Sequence, residues 1–542
     1  MKTLVALLIA PCVVAAQAPS ADTTTRIDAV FSRFTASTPG CALNVLRNGA
    51  SIYSKGYGLA SIELGVPISP RTVFDIGSSS KQFTAASIVL LAQDGKLSLD
   101  DDVRKFIPEL PDLGAKVTLR HLLTHTSGWR DYVDLMVFGG FDERDHTTDD
   151  DALDVLRRQR ALNFAPGSDW RYSNTGYFLM SIVVKRASGK SLADFAHERI
   201  FAPLGMTHTH YLTESREVIP NKASAYAPMP GGAFLVGMSN WEQTGDGGVQ
   251  TSVEDLARWD ANFDTPTVGG KAMVDLLQTT ATLSNGTPLT YALGLTVDQY
   301  RGMRRVQHGG AWGGFRAMTM RFPTQHLSIY TLCNRGDANT DQLASGVANV
   351  FLPAPPASQA GAQSGAPRVA PIPGEAARFA SSYFADGTGQ LLNLDAHGDT
   401  LVQRGNRLAL EPLGTRTYRH VPSGTTFRFG EDNGVRYFVG GPPAAGVPVR
   451  YTAVEPAGDI HAADFTGHYT SDELAHPWDI VARGDSLFVH GARAETLPLR
   501  PFFRDAFAGP GVVRFERDKG GVVTALTVTT RGMHELRMVR QQ

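Results

Sequence analysis

Shifting residues 379–429 along the chain by one constant offset, the 86 positions from 379 to 465, lays them over a second stretch of the same sequence. Phe379 falls on Phe465, Tyr383 on Tyr469, Gly398-Asp399 on Gly484-Asp485, Leu401 on Leu487, Pro412-Leu413 on Pro498-Leu499, and Arg428-Phe429 on Arg514-Phe515. A gapless offset held over about fifty residues marks two copies of one folding unit. Short alternating runs such as TTFRF, VRYFV, SLFVH, VVRFE and ALTVTT are separated by turn signals at Asn433-Gly434 and Lys519-Gly520-Gly521. That pattern is antiparallel β-structure, and strands this short and numerous predict a small barrel or sandwich for each copy, over 375–460 and 461–542. The offset also disposes of Arg483-Gly484-Asp485, which spells a cell-adhesion tripeptide. Its counterpart is His397-Gly398-Asp399, so the copies share a Gly-Asp turn.

At 542 residues the chain exceeds what one core supports. Residues 20–352 alternate helical and strand-like stretches, and 353–374, LPAPPASQAGAQSGAPRVAPIP, cannot bury enough to fold alone and read as a linker. The N-terminus, MKTLVALLIAPCVVAAQAPS, has the pattern of an export leader with cleavage expected after Ala16, giving a leader over 1–16. Pro11 before Cys12 speaks against a lipid anchor. No later apolar run approaches the roughly 20 residues of a membrane span, so the mature protein is expected to be soluble and periplasmic or extracellular. Two cysteines then remain, Cys41 and Cys333. An oxidising compartment permits pairing; the favoured reading is two separate buried thiols, with a disulfide left open. Lys plus Arg number 51 against 53 Asp plus Glu, for a net charge of −2, and no basic stripe stands out. That balance excludes nucleic-acid and polybasic membrane partners.

The chemistry-bearing stretch is FDIGSSSKQFTAA at 74–86. A helix is expected from Ser78 to a terminator at Gly95, and residues three apart on a helix share a face. Ser78 and Lys81 can therefore touch, near unpaired backbone N–H groups that favour a developing anion. A buried lysine loses part of its charge preference and can take a proton from the serine. Alone, this pair is a common helix start. It gains meaning from Tyr172-Ser173-Asn174 in PGSDWRYSNTGYFLM and from His308-Gly309-Gly310 in VQHGGAWGGFRAMTMRF. A tyrosine near a Ser/Lys pair relays protons, an asparagine orients a carbonyl, and glycines let substrate backbone lie close.

These motifs, with GYGLAS at 56–61, DGKLSLDD at 94–101, VTLRHLLTHTSGW at 117–129, PLGM at 203–206 and GGVQTSVEDLARW at 247–259, resemble the penicillin-recognising serine hydrolases. That family includes class C β-lactamases, D-alanyl-D-alanine carboxypeptidases, D-aminopeptidases and esterases. The resemblance implies an α+β fold: a β-lactamase/transpeptidase-like domain, with an antiparallel sheet flanked by helices plus a helical subdomain. The two all-β units would follow it as lipocalin-like antiparallel barrels, as in bacterial D-aminopeptidases, where they help shape the cleft. It implies Ser78 as acylated nucleophile, Lys81 as its proton acceptor, and Tyr172 as base in acylation and acid toward the leaving group. Asn174 would hold the substrate amide, and His308, Gly309 and Gly310 would line the strand side. The backbone N–H groups of Ser78 and Ala311 would hold the oxyanion. The family's sheet sets its first strand beside its last, which keeps the Cys41–Cys333 pairing open. No cofactor and no metal is expected: His121 and His125 lack the glutamate of an HExxH site.

The departure is the third motif, His-Gly-Gly where β-lactamases and many carboxypeptidases carry Lys-Thr-Gly. An ordinary imidazole is mostly neutral at pH 7, so a fixed anchor for a substrate carboxylate is missing. The leading expectation is an exported hydrolase of amides or short peptides with a D-residue. The alternatives are a carboxylesterase on small acyl esters, a β-lactamase or D-Ala-D-Ala carboxypeptidase, and a non-catalytic binder of cell-wall fragments. The oligomeric state is left open.

Overall fold

A computed structural model describes residues 18–354 and 369–541, apart from 386–387, 405–407, 421–424, 445 and 492–495. The expected leader at 1–16 and residues 355–368 of the expected linker lie outside the described residues. No helix among the described residues is long and apolar enough to cross a membrane.

The first part is built on a six-stranded antiparallel sheet. Its strands are β1 (Cys41–Arg47), β2 (Ala50–Tyr57), β3 (Thr296–Tyr300), β4 (Met303–Trp312), β5 (Phe315–Phe322) and β6 (Leu327–Cys333), in the order β3-β4-β5-β6-β1-β2. Alternate residues of β1 serve opposite faces, as strand geometry demands. Cys41, Leu43 and Val45 join Ile27 of helix α1 (Ala21–Val30), Phe31 just after it and Val347 of the helix Thr340–Phe351, while Ala42 and Leu46 join the larger core on the other side. That larger core surrounds α2 (Lys81–Gln93), buried from Lys81 through Leu91. A helix covered on all sides sits at the centre of a domain, and α2 thereby holds its first turn rigid.

Cys41 stands directly opposite Cys333 in the β1–β6 pairing, and the two form a disulfide. This corrects the reading of two separate thiols. Each run alone shows only a buried strand residue; what joins them is the closing of the sheet by strands 292 residues apart.

Each C-terminal copy is a closed eight-stranded barrel, from Ser381–Ala385 to Val447–Val454 and from Gly467–Thr470 to Leu536–Arg540. Closure leaves no free sheet edge, which decides barrel over sandwich. The copies use the same hairpin to touch the first domain. Gly446 lies beside Pro288 and Thr290, and its counterpart Gly532 lies beside Asp131 and Asp134. The second barrel is docked more deeply: Trp478 stacks on Phe138 at 5.3 Å, and its core is continuous with that around α2. Arg130 and Glu473 form a buried ion pair across the junction, and Glu473 also accepts Arg160 N at 3.0 Å.

Candidate active site

Ser78 does not begin an α-helix. Gly77–Ser80 form a tight 3₁₀ turn, and α2 starts at Lys81. Two glycines make the turn possible where it sits. Gly77 has φ +48 and a Cβ there would lie 2.7 Å from Ala311 N, while a Cβ on Gly310 would lie 1.8 Å from Ile76 O. Strand β4 can press against the turn only without those side chains. The three serines then part ways. Ser79 Oγ donates to His308 O at 3.0 Å and Ser80 Oγ accepts from Val249 N at 3.1 Å, so both are spent on structure. Ser78 alone keeps its hydroxyl in the cleft.

Lys81 Nζ donates to Ser78 Oγ at 3.1 Å, to Asn174 Oδ1 at 2.9 Å and to Asp246 O at 2.6 Å. The last two are fixed acceptors, and they aim the third direction of the nitrogen at Ser78. Along that direction an ammonium donates, and a neutral amine offers its lone pair to the serine proton. Lys81 is fully buried. The Asp246 carboxyl, held by Tyr132 Oη at 3.2 Å, is pushed up by burial and drawn back by the Lys81 charge.

Asn174 starts a helix, α3 (Asn174–Ser188), and its backbone N–H donates to Asp131 Oδ2 at 2.5 Å. Asp131 N in turn donates to Gly532 O of the second barrel at 2.9 Å. An unbroken line of hydrogen bonds therefore runs from the barrel loop through Asp131 and Asn174 to Lys81. Burial and the neighbouring Asp134 raise the Asp131 carboxyl above the usual carboxylate range.

Tyr172 shares a cavity with Ser78, and Lys81 Nζ lies 5.0 Å from its ring centroid. Its hydroxyl has no hydrogen-bond partner among the described residues. The expected Tyr172–Lys81 bond is thus not made here, and the buried phenol hydroxyl, at the wall of the cleft, keeps its donor and acceptor unused. Its position is set by His125, whose ring packs against it at 4.3 Å. His125 O accepts Arg171 N at 3.0 Å and His125 Nδ1 accepts Ser173 N at 3.2 Å, gripping the backbone on both sides of Tyr172. Burial holds the His125 imidazole well below its ordinary value, so it stays neutral and Nδ1 stays an acceptor. His121 instead closes a capping box with Thr118.

His308 is buried on β4. Its Nδ1 donates to Gly309 O at 2.6 Å, which leaves Nε2 to accept from Tyr291 Oη at 3.0 Å. Burial and the Lys81 charge push it down to about 4, so it is neutral at pH 7. Unfolded, it takes a proton near 6.5. Between these values the unfolded chain binds more protons at this residue, so its contribution is present above pH 6.5 and lost as pH falls toward 4. Buried carboxyls with raised values, Asp75, Asp131, Asp134, Asp149 and Asp246, act in the opposite sense. Comparison with His308→Gln isolates the histidine: from pH 7 to 4.5 the wild type should lose about 2 to 3 kcal/mol more than the variant, read from urea midpoints. Equal losses would place a proton on His308 in the folded state.

Ser78 and Ala311 line two cavities that meet between them, one of about 130 Å³ containing Asn174 and one of about 660 Å³ containing Tyr172, His308, Gly309 and Gly310. Every sequence-expected site residue therefore borders the same cleft or is bonded to a residue that does. Asp131, Asp246, Tyr291, the positioning role of His125 and the loop around Gly532 went unread. Asp131 stands two residues past the THTSGW stretch, the one local pointer; the others carry no local pattern.

A buried lysine on a cleft serine, at the head of the central helix beside an antiparallel sheet, defines a serine hydrolase. Residues 27–352 match the Beta-lactamase family, and the chain belongs to that family. Penicillin-binding protein 4* of Bacillus subtilis is 32% identical over 301 residues, 53% of this chain and 66% of that protein. The D-aminopeptidase of Brucella melitensis is 25% identical over 507 residues, 90% of this chain and 93% of that one. The solved octameric penicillin-binding protein homologue from Pyrococcus abyssi aligns with a TM-score of 0.56 at 20% identity, covering 86% of this chain and 97% of that chain.

Proposed function

We propose that the chain is an exported hydrolase that cleaves amides or short peptides bearing a D-amino-acid residue, through an acyl-enzyme on Ser78. The observation that carries the reading is the Lys81–Ser78 contact, with the lysine's other two hydrogen bonds fixed by Asn174 and Asp246. The choice of a D-residue rests on the likeness to a D-aminopeptidase that extends through both barrels.

In this reading Ser78 Oγ attacks the substrate carbonyl carbon as its proton passes to the Lys81 Nζ lone pair. The oxyanion is held by the backbone N–H groups of Ser78 and Ala311, and Asn174 orients the acyl amide. The C–N bond breaks as Tyr172, resupplied by Lys81, gives its proton to the leaving nitrogen. Water then splits the ester, with the same groups acting in reverse. Each oxyanion donor is worth about 10² to 10³ in rate and a placed acid/base about 10² to 10⁴. The small cavity beside Asn174 suits a compact acyl residue; its wall carries Asp75 with Lys222 as counter-charge, and Asp246 with Lys81 as counter-charge. We place the catalytic domain at 20–352, the linker at 353–374 and the barrels at 375–460 and 461–542.

The test is a rate panel on D- and L-alanine p-nitroanilide, p-nitrophenyl butyrate and a chromogenic cephalosporin. The D-anilide should be turned over at least tenfold faster than the L-anilide. Turnover confined to the ester would overturn the D-amidase reading in favour of an esterase.

A further inference from the structure

The loop joining the last two strands of the second barrel, Thr530 to Glu535, brings Arg531 to the wall of the larger cavity, where Ser78, Tyr172 and His308 also stand. Its backbone is clamped on both sides. Asp134 accepts from Thr530 Oγ1 and from Gly532 N, Gly532 O accepts Asp131 N at 2.9 Å and Asn163 Nδ2 at 3.0 Å, and Met533 is fully buried. A Cβ on Gly532 would lie 2.5 Å from Asp131 Cβ, so the loop seats this closely only with glycine there. Arg531 itself is exposed and makes no hydrogen bond or ion pair among the described residues.

Two carboxylates share this cavity: Asp337 is paired with Arg335, and Asp341 is exposed and lies 3.5 Å from Arg305, whose guanidinium is taken up by Asp298; His308 is uncharged. Arg531 is the one unmatched cation among the described residues lining it. Its field reaches the site's centre, where it adds to the forces keeping His125 neutral.

The two cavities can be assigned a direction. Tyr172, which gives the leaving nitrogen its proton, borders only the larger one, and Asn174, which holds the acyl amide, borders only the smaller. The larger cavity is therefore the leaving-group side. We infer that Arg531 binds a carboxylate on the leaving group, so that the amine released is a free amino acid or a short peptide with its C-terminal carboxylate intact. The barrel loop would thus supply the cation that the His308-Gly309-Gly310 strand lacks. A planar guanidinium suits this task because it meets a carboxylate with two parallel hydrogen bonds. The inference rests on the amide-hydrolase reading above and names its substrate class.

The experiment compares kcat/KM of the full-length protein on D-alanyl-glycine and on D-alanyl-glycinamide, with D-alanine p-nitroanilide as the uncharged reference. The wild type should prefer the free acid by tenfold or more. That preference should vanish in Arg531→Gln, return in large part in Arg531→Lys, and invert in Arg531→Glu. Equal rates on acid and amide, or a preference that survives in Arg531→Gln and Arg531→Glu, would overturn the inference while anilide turnover left the hydrolase reading standing. Cleavage of the anilide but neither dipeptide would overturn it as well. Failure on all three would remove the amide-hydrolase reading and this inference together.

Discussion

Replacing Ser78 with alanine is expected to lower kcat/KM on D-alanine p-nitroanilide by about 10⁴-fold or more without lowering the unfolding midpoint. The two halves of that result follow from one geometry. The Ser78 hydroxyl makes a single side-chain hydrogen bond, to Lys81, and otherwise faces the cleft, so little structure is lost with it. The acyl-enzyme route is lost entirely. Tyr172→Phe should cost less activity, about 10² to 10⁴ as for one placed acid/base, and leave stability unchanged because its hydroxyl has no partner to strand. Lys81→Met should cost activity and stability together, since it leaves Asn174 Oδ1 and Asp246 O without their donor. A Ser78→Ala protein that kept more than a few per cent of its Tyr172- and Lys81-dependent activity would contradict the mechanism.

The second large effect belongs to the junction with the second barrel. Glu473→Ala should destabilise the protein by about 3 to 5 kcal/mol, because it strands a buried guanidinium. Arg130 is 5% exposed and Glu473 10%, so solvent does not make good the loss. Arg130 is also bonded to His534 O in the loop that carries Arg531 and Gly532. The substitution should therefore speed hydrogen exchange across 530–535 and lower kcat, through the line of hydrogen bonds from Gly532 to Lys81. The double variant Arg130→Met/Glu473→Leu removes both charges and should recover most of the stability. If Glu473→Ala unfolds at the wild-type denaturant concentration, the pair contributes no net stability and the docking rests on Trp478 and its neighbours.

How much of this could be read beforehand depended on how local each feature is. Ser78 and Lys81 stand three residues apart, and a single turn brings them together. The barrels were legible because a repeated sequence at constant offset must repeat its strands. The Cys41–Cys333 bridge was not, since each half looks like an ordinary buried strand residue until the sheet closes. Tyr172 could be picked out but not its surroundings: the grip of His125 depends on a fold that lays residues 125 and 171–173 side by side. Asp246 reaches Lys81 from 165 positions away through a backbone carbonyl, a contact with no side-chain signature at all. Arg531 carries no local signature in the sequence, and only the docking of the second barrel gives it a place at the cleft.

The account stands most directly on one covalent bond. The native protein, treated with a fluorophosphonate and digested, should give one adduct per chain, found by mass spectrometry on Ser78, with turnover falling in step. An adduct on Ser79 or Ser80, or full loss of turnover with Ser78 unmodified, would contradict it.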